Sequence, residues 1–484
     1  MSRKPPKRPA FRWARIHAPI LALALAVPAR SAGPSPVHDE GSGPISWLSE
    51  YLRHETVNPP GNEGRAAAWL AGILHRHGIA TQRLVSPAGR TSLYARLEAE
   101  HHEAPGLLLL HHIDVVAPGE GWSSDPFSGE ITADRIHGRG AIDAKSLGIA
   151  HLAAFLEAAR HRERLRRDLV FLAAADEEAG GAQGLGWLVG AKPELFEGIG
   201  AALNEGGNNR VVGGRVLWWG VEVAQKRPFW LRLNVQGRGG HASGHHPTSA
   251  THRLVAALGR VLEEERPLRI SEQALLHLGA LAPLYGGPFE QVFGRPTVPE
   301  VQQALDRALA AQRDVGRILL PGIVSYLTDT VQVTSFDNGN QAINVVPTRA
   351  SASLDIRLLP DTDADAFLAA LQVRLGEDVG IEVLLETPPA PASSTDTDVY
   401  GALERTLAPS GPVVPAFILG TTDSRYLRRL GIEAYGFSPF RLGPEDLRGI
   451  HGADESIPVR QVEEGAALMR ALVTSLALVP EAAP

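Results

Sequence analysis

The chain has 484 residues, enough for two or three domains around a sizeable core, and its 44% hydrophobic and 21% charged content is that of a globular rather than a disordered protein. Its 47 basic and 54 acidic residues leave a net charge of −7 with no long run of one sign, which argues against a nucleic-acid partner. There is no cysteine, so disulfides, thiolate metal sites and a cysteine nucleophile are excluded, and any transition metal must be held by imidazole and carboxylate.

Arg3, Lys4, Lys7, Arg8, Arg12 and Arg15 precede an apolar run over 18–27, and Ala29 and Ser31 then supply small residues of the kind a signal peptidase reads. This order predicts an export signal over 1–31 and a periplasmic or secreted protein; a disordered, Pro-rich basic leader on a cytoplasmic protein is the alternative. The run is too short to span a bilayer, and no other stretch approaches the roughly 20 apolar residues a membrane helix needs. A Gly/Pro/Ser-rich linker follows over 32–44.

Apolar residues recur at helical spacing over 45–53 and 65–77. Three short apolar runs, 107–110, 169–175 and 199–203, are bounded like buried strands and separated by helical patterns such as 147–159. Apolar strands alternating with helices predict an α/β domain with a largely parallel sheet. The first run leads into His111, His112 and Asp114, the second into Asp176, Glu177 and Glu178, the third into Asn204 and Glu205. Ligands bind beyond the carboxyl ends of strands in such sheets, so these three ends point to one shared site.

From about residue 223 the texture changes. An alternating strand over 229–235, a glycine-rich turn over 237–240 leading to His241, a helix over 247–264, strands over 319–334 and 350–358, a helix over 364–375 and a strand near 381–385 predict a separate α+β domain. The expected organisation is a catalytic domain over 45–222, an inserted domain over 223–388, and a return to the catalytic domain over 389–484, where His451 sits in a Gly-rich loop.

Singly, the candidate residues are ordinary. His112-Ile113-Asp114 puts imidazole and carboxylate on one side of an extended backbone, so Asp114 could orient the ring, although a loop or capping role explains the pair as well. Asp143, after a flexible turn and just before a helix, could be an N-cap. Asp176, Glu177 and Glu178 repel one another at the end of an apolar strand unless cations or solvent compensate. As a set, two histidines (His112, His451) and three carboxylates (Asp143, Glu178, Glu205) make a nitrogen and oxygen site suited to zinc, cobalt or manganese.

His112-Ile-Asp-Val-Val, Gly121-Trp-Ser-Ser-Asp-Pro-Phe-Ser-Gly, His137-Gly-Arg-Gly-Ala-Ile-Asp143, Asp176-Glu-Glu, Asn204-Glu-Gly-Gly, Gly239-Gly-His-Ala-Ser and His451-Gly-Ala-Asp-Glu follow one another along the chain. In this order they resemble the zinc exopeptidase family that includes aminoacylase, carboxypeptidase G, succinyl-diaminopimelate desuccinylase and yeast carboxypeptidase S, most closely the carboxypeptidase S branch. The resemblance covers essentially all of the chain after the leader. It implies a phosphorylase/hydrolase-like zinc peptidase fold with an inserted α+β lid that also serves as dimerisation surface. It further implies two Zn2+, with Co2+ or Mn2+ as substitutes: one on His112 and Glu205, the other on Glu178 and His451, with Asp143 bridging. By the same resemblance Asp114 holds His112, Glu177 is the general base, and His241 reaches an active site, often the partner subunit's, to stabilise an oxyanion. Asn344 and Arg357 match lid positions that hold a substrate carboxylate. Thr422 and Arg425, in the 421–425 loop, match substrate-binding positions, a surface ion pair being the alternative for Arg425. Two departures, Ala144-Lys145-Ser146 after Asp143 and Asn204 in place of a frequent aspartate, remove no ligand. The expected function is hydrolysis of an amide beside a free carboxylate, as a carboxypeptidase or dipeptidase first and an N-acyl-amino-acid amidohydrolase second. A non-catalytic peptide-binding relative is the third reading.

Overall fold

A computed structural model describes residues 43–207, 209–339 and 342–480. The expected export signal and most of the linker after it lie outside the described residues. Along the chain the first strands are β1 (Gln82–Val85), β2 (Thr91–Leu97), β3 (Gly106–His112), β4 (Arg135–His137), β5 (Leu169–Ala174), β6 (Ile199–Asn204), β7 (Arg210–Val212) and β8 (Arg215–Gln225). Then come β9 (Arg227–Gln236), β10 (Gly240–His241), β11 (Thr330–Asp337), β12 (Val345–Val346), β13 (Arg349–Leu358) and β14 (Gly380–Glu386). The last are β15 (Val413–Ile418), β16 (Glu433–Gly436) and β17 (Ser456–Pro458).

Nine of these form one sheet, in the order β1-β2-β5-β3-β6-β16-β8-β15 with β7 on β8. Its centre, β5-β3-β6-β16, is parallel, and β15 runs parallel to β8. Both faces are covered, which is why β5, and β3 as far as Leu110, are apolar without a break. Leu107 and Leu109 enter the core on one side, with Phe155 and Met469 of the helices Lys145–Arg160 and Val459–Ala477. Leu108 and Leu110 enter the core on the other side, with Leu185 and Leu188. A period of two along a strand divides successive side chains between faces in this way.

The second sheet, β11-β13-β9-β14, is antiparallel throughout. Phe229, Leu231, Leu233 and Val235 of β9 point to one face, where the helices Ala250–Leu262 and Ala364–Leu375 cover them. The other face is open, so β13 alternates between buried and part-exposed residues along its length.

Two expectations for 223–388 need correction. The predicted strand over 319–334 is a strand only from Thr330; the preceding residues form the short helices Val315–Ile318 and Val324–Leu327. The helices Glu272–Tyr285, Gly287–Phe293 and Val298–Ala310 do not belong to the antiparallel sheet's core. Leu278, Phe289, Phe293 and Leu305 join Trp218, Val414 and Phe417 in the core of the nine-stranded sheet. Helical spacing shows that a segment has an apolar face but not which sheet receives it. Among the described residues no helix is long and apolar enough to cross a membrane.

Candidate metal centre and active site

β3 lies between β5 and β6, so the three acid-bearing strand ends are neighbours at the sheet's carboxyl edge. His112 ends β3, Glu177 and Glu178 follow β5, and Glu205 follows β6. Asp143 comes from the loop before Lys145–Arg160 and His451 from the loop before β17. His451 and Asp176 both have left-handed backbones, at φ 56° and φ 75°, an uncommon conformation for non-glycine residues that recurs at functional sites.

The five expected ligands form a continuous chain of contacts. Glu205 Oε2 is 3.7 Å from His112 Nε2, which is 3.1 Å from Asp143 Oδ1. Asp143 Oδ2 is 3.3 Å from His451 Nε2, and that nitrogen is 3.3 Å from Glu178 Oε2. Asp143 thus presents one oxygen to each imidazole, in the middle of the row. His112 Nδ1 lies 2.8 Å from the Asp114 carbonyl oxygen, which can only accept, so this nitrogen carries a proton and Nε2 is the atom turned to the carboxylates.

The donor set fits divalent cations. Glu178 Oε1 is buried with no hydrogen-bond partner. Burial, then the charge of Glu205, pushes Glu177 well above the usual carboxylate range, and burial pushes Glu205 up to about 7. Burial pushes Asp143 up as well, but hydrogen bonds from His112 and His451 outweigh it and hold this carboxyl below the usual range. Hydrogen bonds to Asp143 and Glu178 raise His451 to about 10. Ligand atoms of His112, Asp143 and Glu178, and of His112, Glu177 and Glu205, come within 4.8 Å of one another. Carboxylates crowded at this density favour a bound cation over mutual repulsion.

Asp114 holds His112 through its backbone carbonyl, and its carboxylate has a second job. Its carboxylate is 3.7 Å from His112 Nδ1, and the ring is held by the backbone carbonyl instead. The carboxylate oxygens accept the Glu177 N–H at 3.1 Å, the Glu178 N–H at 3.1 Å and Asn58 Nδ2 at 2.7 Å. Asp114 therefore fixes the turn that carries Glu177 and Glu178. Behind it the buried guanidinium of Arg90 binds Glu63 and Asp176, donates to Asn58 Oδ1 at 3.1 Å and lies 3.8 Å from Asp114 Oδ2.

Glu455 is the other support that sequence reading missed. Fully buried, it accepts from Arg139 at 2.6 Å, from the Gly140 and Ile142 N–H groups at 3.0 and 2.7 Å, and from the Asp143 N–H at 3.2 Å. It ties the loop of Asp143 to the loop of His451. Glu455→Gln keeps the shape but removes two acceptor lone pairs and the charge facing Arg139. Metal affinity is expected to fall about 10–100-fold, the usual cost of losing such support. Competition against a chromogenic chelator measures it, and wild-type affinity would show that the two loops hold themselves.

The remaining expected residues lie elsewhere. His241 is exposed on β10, with Nδ1 2.8 Å from Ser243 Oγ, and Asn344 is exposed, its carbonyl accepting the Ala242 N–H at 2.9 Å. Arg357 donates to both oxygens of Asp355, at 2.7 and 3.0 Å, along β13. Arg425 is neither a surface ion pair nor open to a ligand. It is 2% exposed and donates to Thr422 O and Gly180 O, both at 2.5 Å, clamping the turn after Glu178. Thr422 is also buried, its hydroxyl donating to Gln225 Oε1 at 3.1 Å. Both residues are engaged in hydrogen bonds within the protein that brace the 421–425 loop. Glu455 could have been found from its place in the His451 motif; nothing in the sequence marks Asn58 or Arg90.

Residues 108–475 match the family model described as peptidase family M20/M25/M40. Aminoacylase-1 of Sus scrofa is 29% identical over 456 residues, covering 91% of this chain and 97% of its own. An M20 family metallo-carboxypeptidase of Sulfolobus solfataricus superposes with a TM-score of 0.65 at 19% identity, covering 89% of this chain and 98% of that one. A dinuclear metal binding peptidase of the M20 family from Bacillus subtilis superposes with a TM-score of 0.51 at 13% identity, covering 90% of this chain and 97% of that one. At those identities the two structures speak to the fold, which agrees with the expected one. The chain belongs to peptidase family M20/M25/M40 and is a hydrolase acting on amide bonds.

Proposed function

We propose that the protein is a dinuclear zinc amidohydrolase that cleaves the amide beside a free carboxylate, with N-acyl amino acids as substrates. The observation that carries the two-metal reading is the position of Asp143, one oxygen toward His112 and the other toward His451, with Glu205 and Glu178 at the outer ends. Likeness to aminoacylase-1 over nearly the whole of both chains supports acyl-amino acids over peptides. Carboxypeptidase or dipeptidase activity is the second reading, supported by the fold shared with the Sulfolobus enzyme.

Held by His112, Asp143, Glu178, Glu205 and His451, two Zn2+ ions, or Co2+ or Mn2+ in their place, would supply Lewis acidity toward the carbonyl and toward a water. Glu177 takes the water proton on a carboxylate oxygen and returns it to the departing amine; burial and the charge of Glu205 raise its affinity for that proton. His241 would aid the oxyanion only across a lid-to-lid homodimer or after lid closure. Substrate capture by Asn344 and Arg357 would require Arg357 to exchange Asp355 for the substrate carboxylate. The order of segments over 1–31 supports export.

Dialysis against a chelator is expected to bring acyl-amino-acid hydrolysis to background, and two equivalents of Zn2+ or Co2+ to restore it. Hydrolysis that survives complete metal removal, verified by elemental analysis, sinks the proposal.

A further inference from the structure

A cavity of about 280 Å³ opens directly beside the metal centre. Asp143 and Glu205 are part of its lining. Leu147, Phe440, Leu442 and Leu447 form much of its wall, and among the described residues no lysine, arginine or histidine lines it. The two carboxylates in the lining are the ones assigned to metal, so beyond them the cavity offers a ligand no charge. Asn209, the amide in the wall, is already committed: its Nδ2 donates to Ser438 O at 2.9 Å and Phe440 O at 3.2 Å, and its Oδ1 accepts the Gly220 N–H at 3.2 Å. It shapes the wall rather than offering a polar contact. Phe440 and Leu442 are buried, while Leu447 is 40% exposed.

Every residue of this wall belongs to the unit built on the nine-stranded sheet; none comes from the antiparallel sheet or its two helices. The substrate carboxylate is assigned to Asn344 and Arg357 on that other unit, so the cavity is left for the opposite side of the scissile bond. We propose that it is an acyl pocket, and that the preferred substrates are amino acids carrying a neutral, apolar, medium-length acyl chain. The inference rests on the reading of the site as an N-acyl-amino-acid amidohydrolase. A cavity of about 150 Å³ takes a six-carbon benzene ring, so this one accommodates roughly eight to ten carbons. A dipeptide would instead bring its ammonium group toward a wall with no carboxylate beyond the two assigned to metal, an unfavourable burial. In the reaction the amide C–N bond breaks and one water adds across it, giving a medium-chain carboxylate and a free amino acid.

The test is kcat/KM of the zinc-loaded full chain on leucine acylated with acetyl, butanoyl, octanoyl and hexadecanoyl groups, with Leu-Leu as the peptide control. Each buried methylene is worth up to about fourfold. Octanoyl-leucine should therefore exceed acetyl-leucine by at least about 100-fold, and hexadecanoyl-leucine should fall back. Leu447→Trp, which narrows the mouth at a partly exposed position, should lower the octanoyl-to-acetyl ratio at least about tenfold. Leu442→Ala, which deepens the cavity, should move the optimum toward longer chains. Acetyl-leucine turned over as well as octanoyl-leucine, or a ratio unmoved by both variants, overturns the pocket and leaves acyl-amino-acid hydrolysis standing. Cleavage of Leu-Leu with none of the acyl-leucines overturns the parent reading and the pocket with it.

Discussion

Glu177→Gln is expected to lower kcat by about 10²–10⁴-fold while the protein keeps two metal ions per chain. The amide has the size of the carboxylate and keeps the backbone N–H bond to Asp114 Oδ1 at 3.1 Å, so the turn should stay in place. What it cannot do is take and return a proton. Glu177 is also close enough to His112 and Glu205 for the three to share a cation, which offers the competing role of a ligand. Metal content separates the two. Full occupancy with a slow enzyme identifies the proton carrier, whereas loss of one equivalent identifies a ligand and hands the base role to another group. A variant that keeps both its metals and its rate contradicts both assignments.

The residues proposed as metal ligands and base were visible in the sequence because the fold imposes a pattern on them. β5, and β3 as far as Leu110, are buried on both faces and continuously apolar, which makes the acids at their ends conspicuous. The helices Lys145–Arg160 and Ala364–Leu375 were readable from their local richness in alanine and leucine, good helix formers, although the first is buried on nearly every side. Destinations were harder. The spacing in Glu272–Tyr285 shows an apolar face but is silent on whether β15 or the antiparallel sheet receives it. Arg425 was found in its motif, yet a motif fixes a position and not a direction, and the guanidinium turns inward onto Gly180 O. Asn58 and Arg90 lie 56 and 24 residues upstream of Asp114, and a charged residue in a loop carries no local sign that it will be buried.

Arg90→Met should be the most destabilising single change near the site, costing about 3–5 kcal/mol, the usual penalty for removing one partner of a buried ionic cluster. The methionine fills similar space, so the loss would be electrostatic rather than a cavity. Glu63, Asp114 and Asp176 would remain buried without the cation that joins them. The acid turn would suffer too, because Asp114 accepts the Glu177 and Glu178 N–H groups and Asp176 Oδ2 accepts the Gln183 N–H at 2.7 Å. The pH dependence gives a second reading. Burial pushes Asp114 up, but His112, Asn58 and Arg90 together outweigh it and hold this carboxyl below its ordinary value. A lowered carboxyl adds stability above its unfolded pKa of about 3.9, and that stability is lost as pH falls through the lower, folded value. The deficit of Arg90→Met should accordingly be largest near neutrality and narrow below about pH 4, as the acids take up protons. Arg90→Lys restores the charge without the fork that reaches Glu63 and Asp176 together, and should recover only part of the loss. Urea unfolding of the metal-loaded protein at several pH values measures all three. A wild-type midpoint for Arg90→Met at pH 7 would mean that protons or solvent already neutralise these acids, and that Asn58 alone holds Asp114 in line.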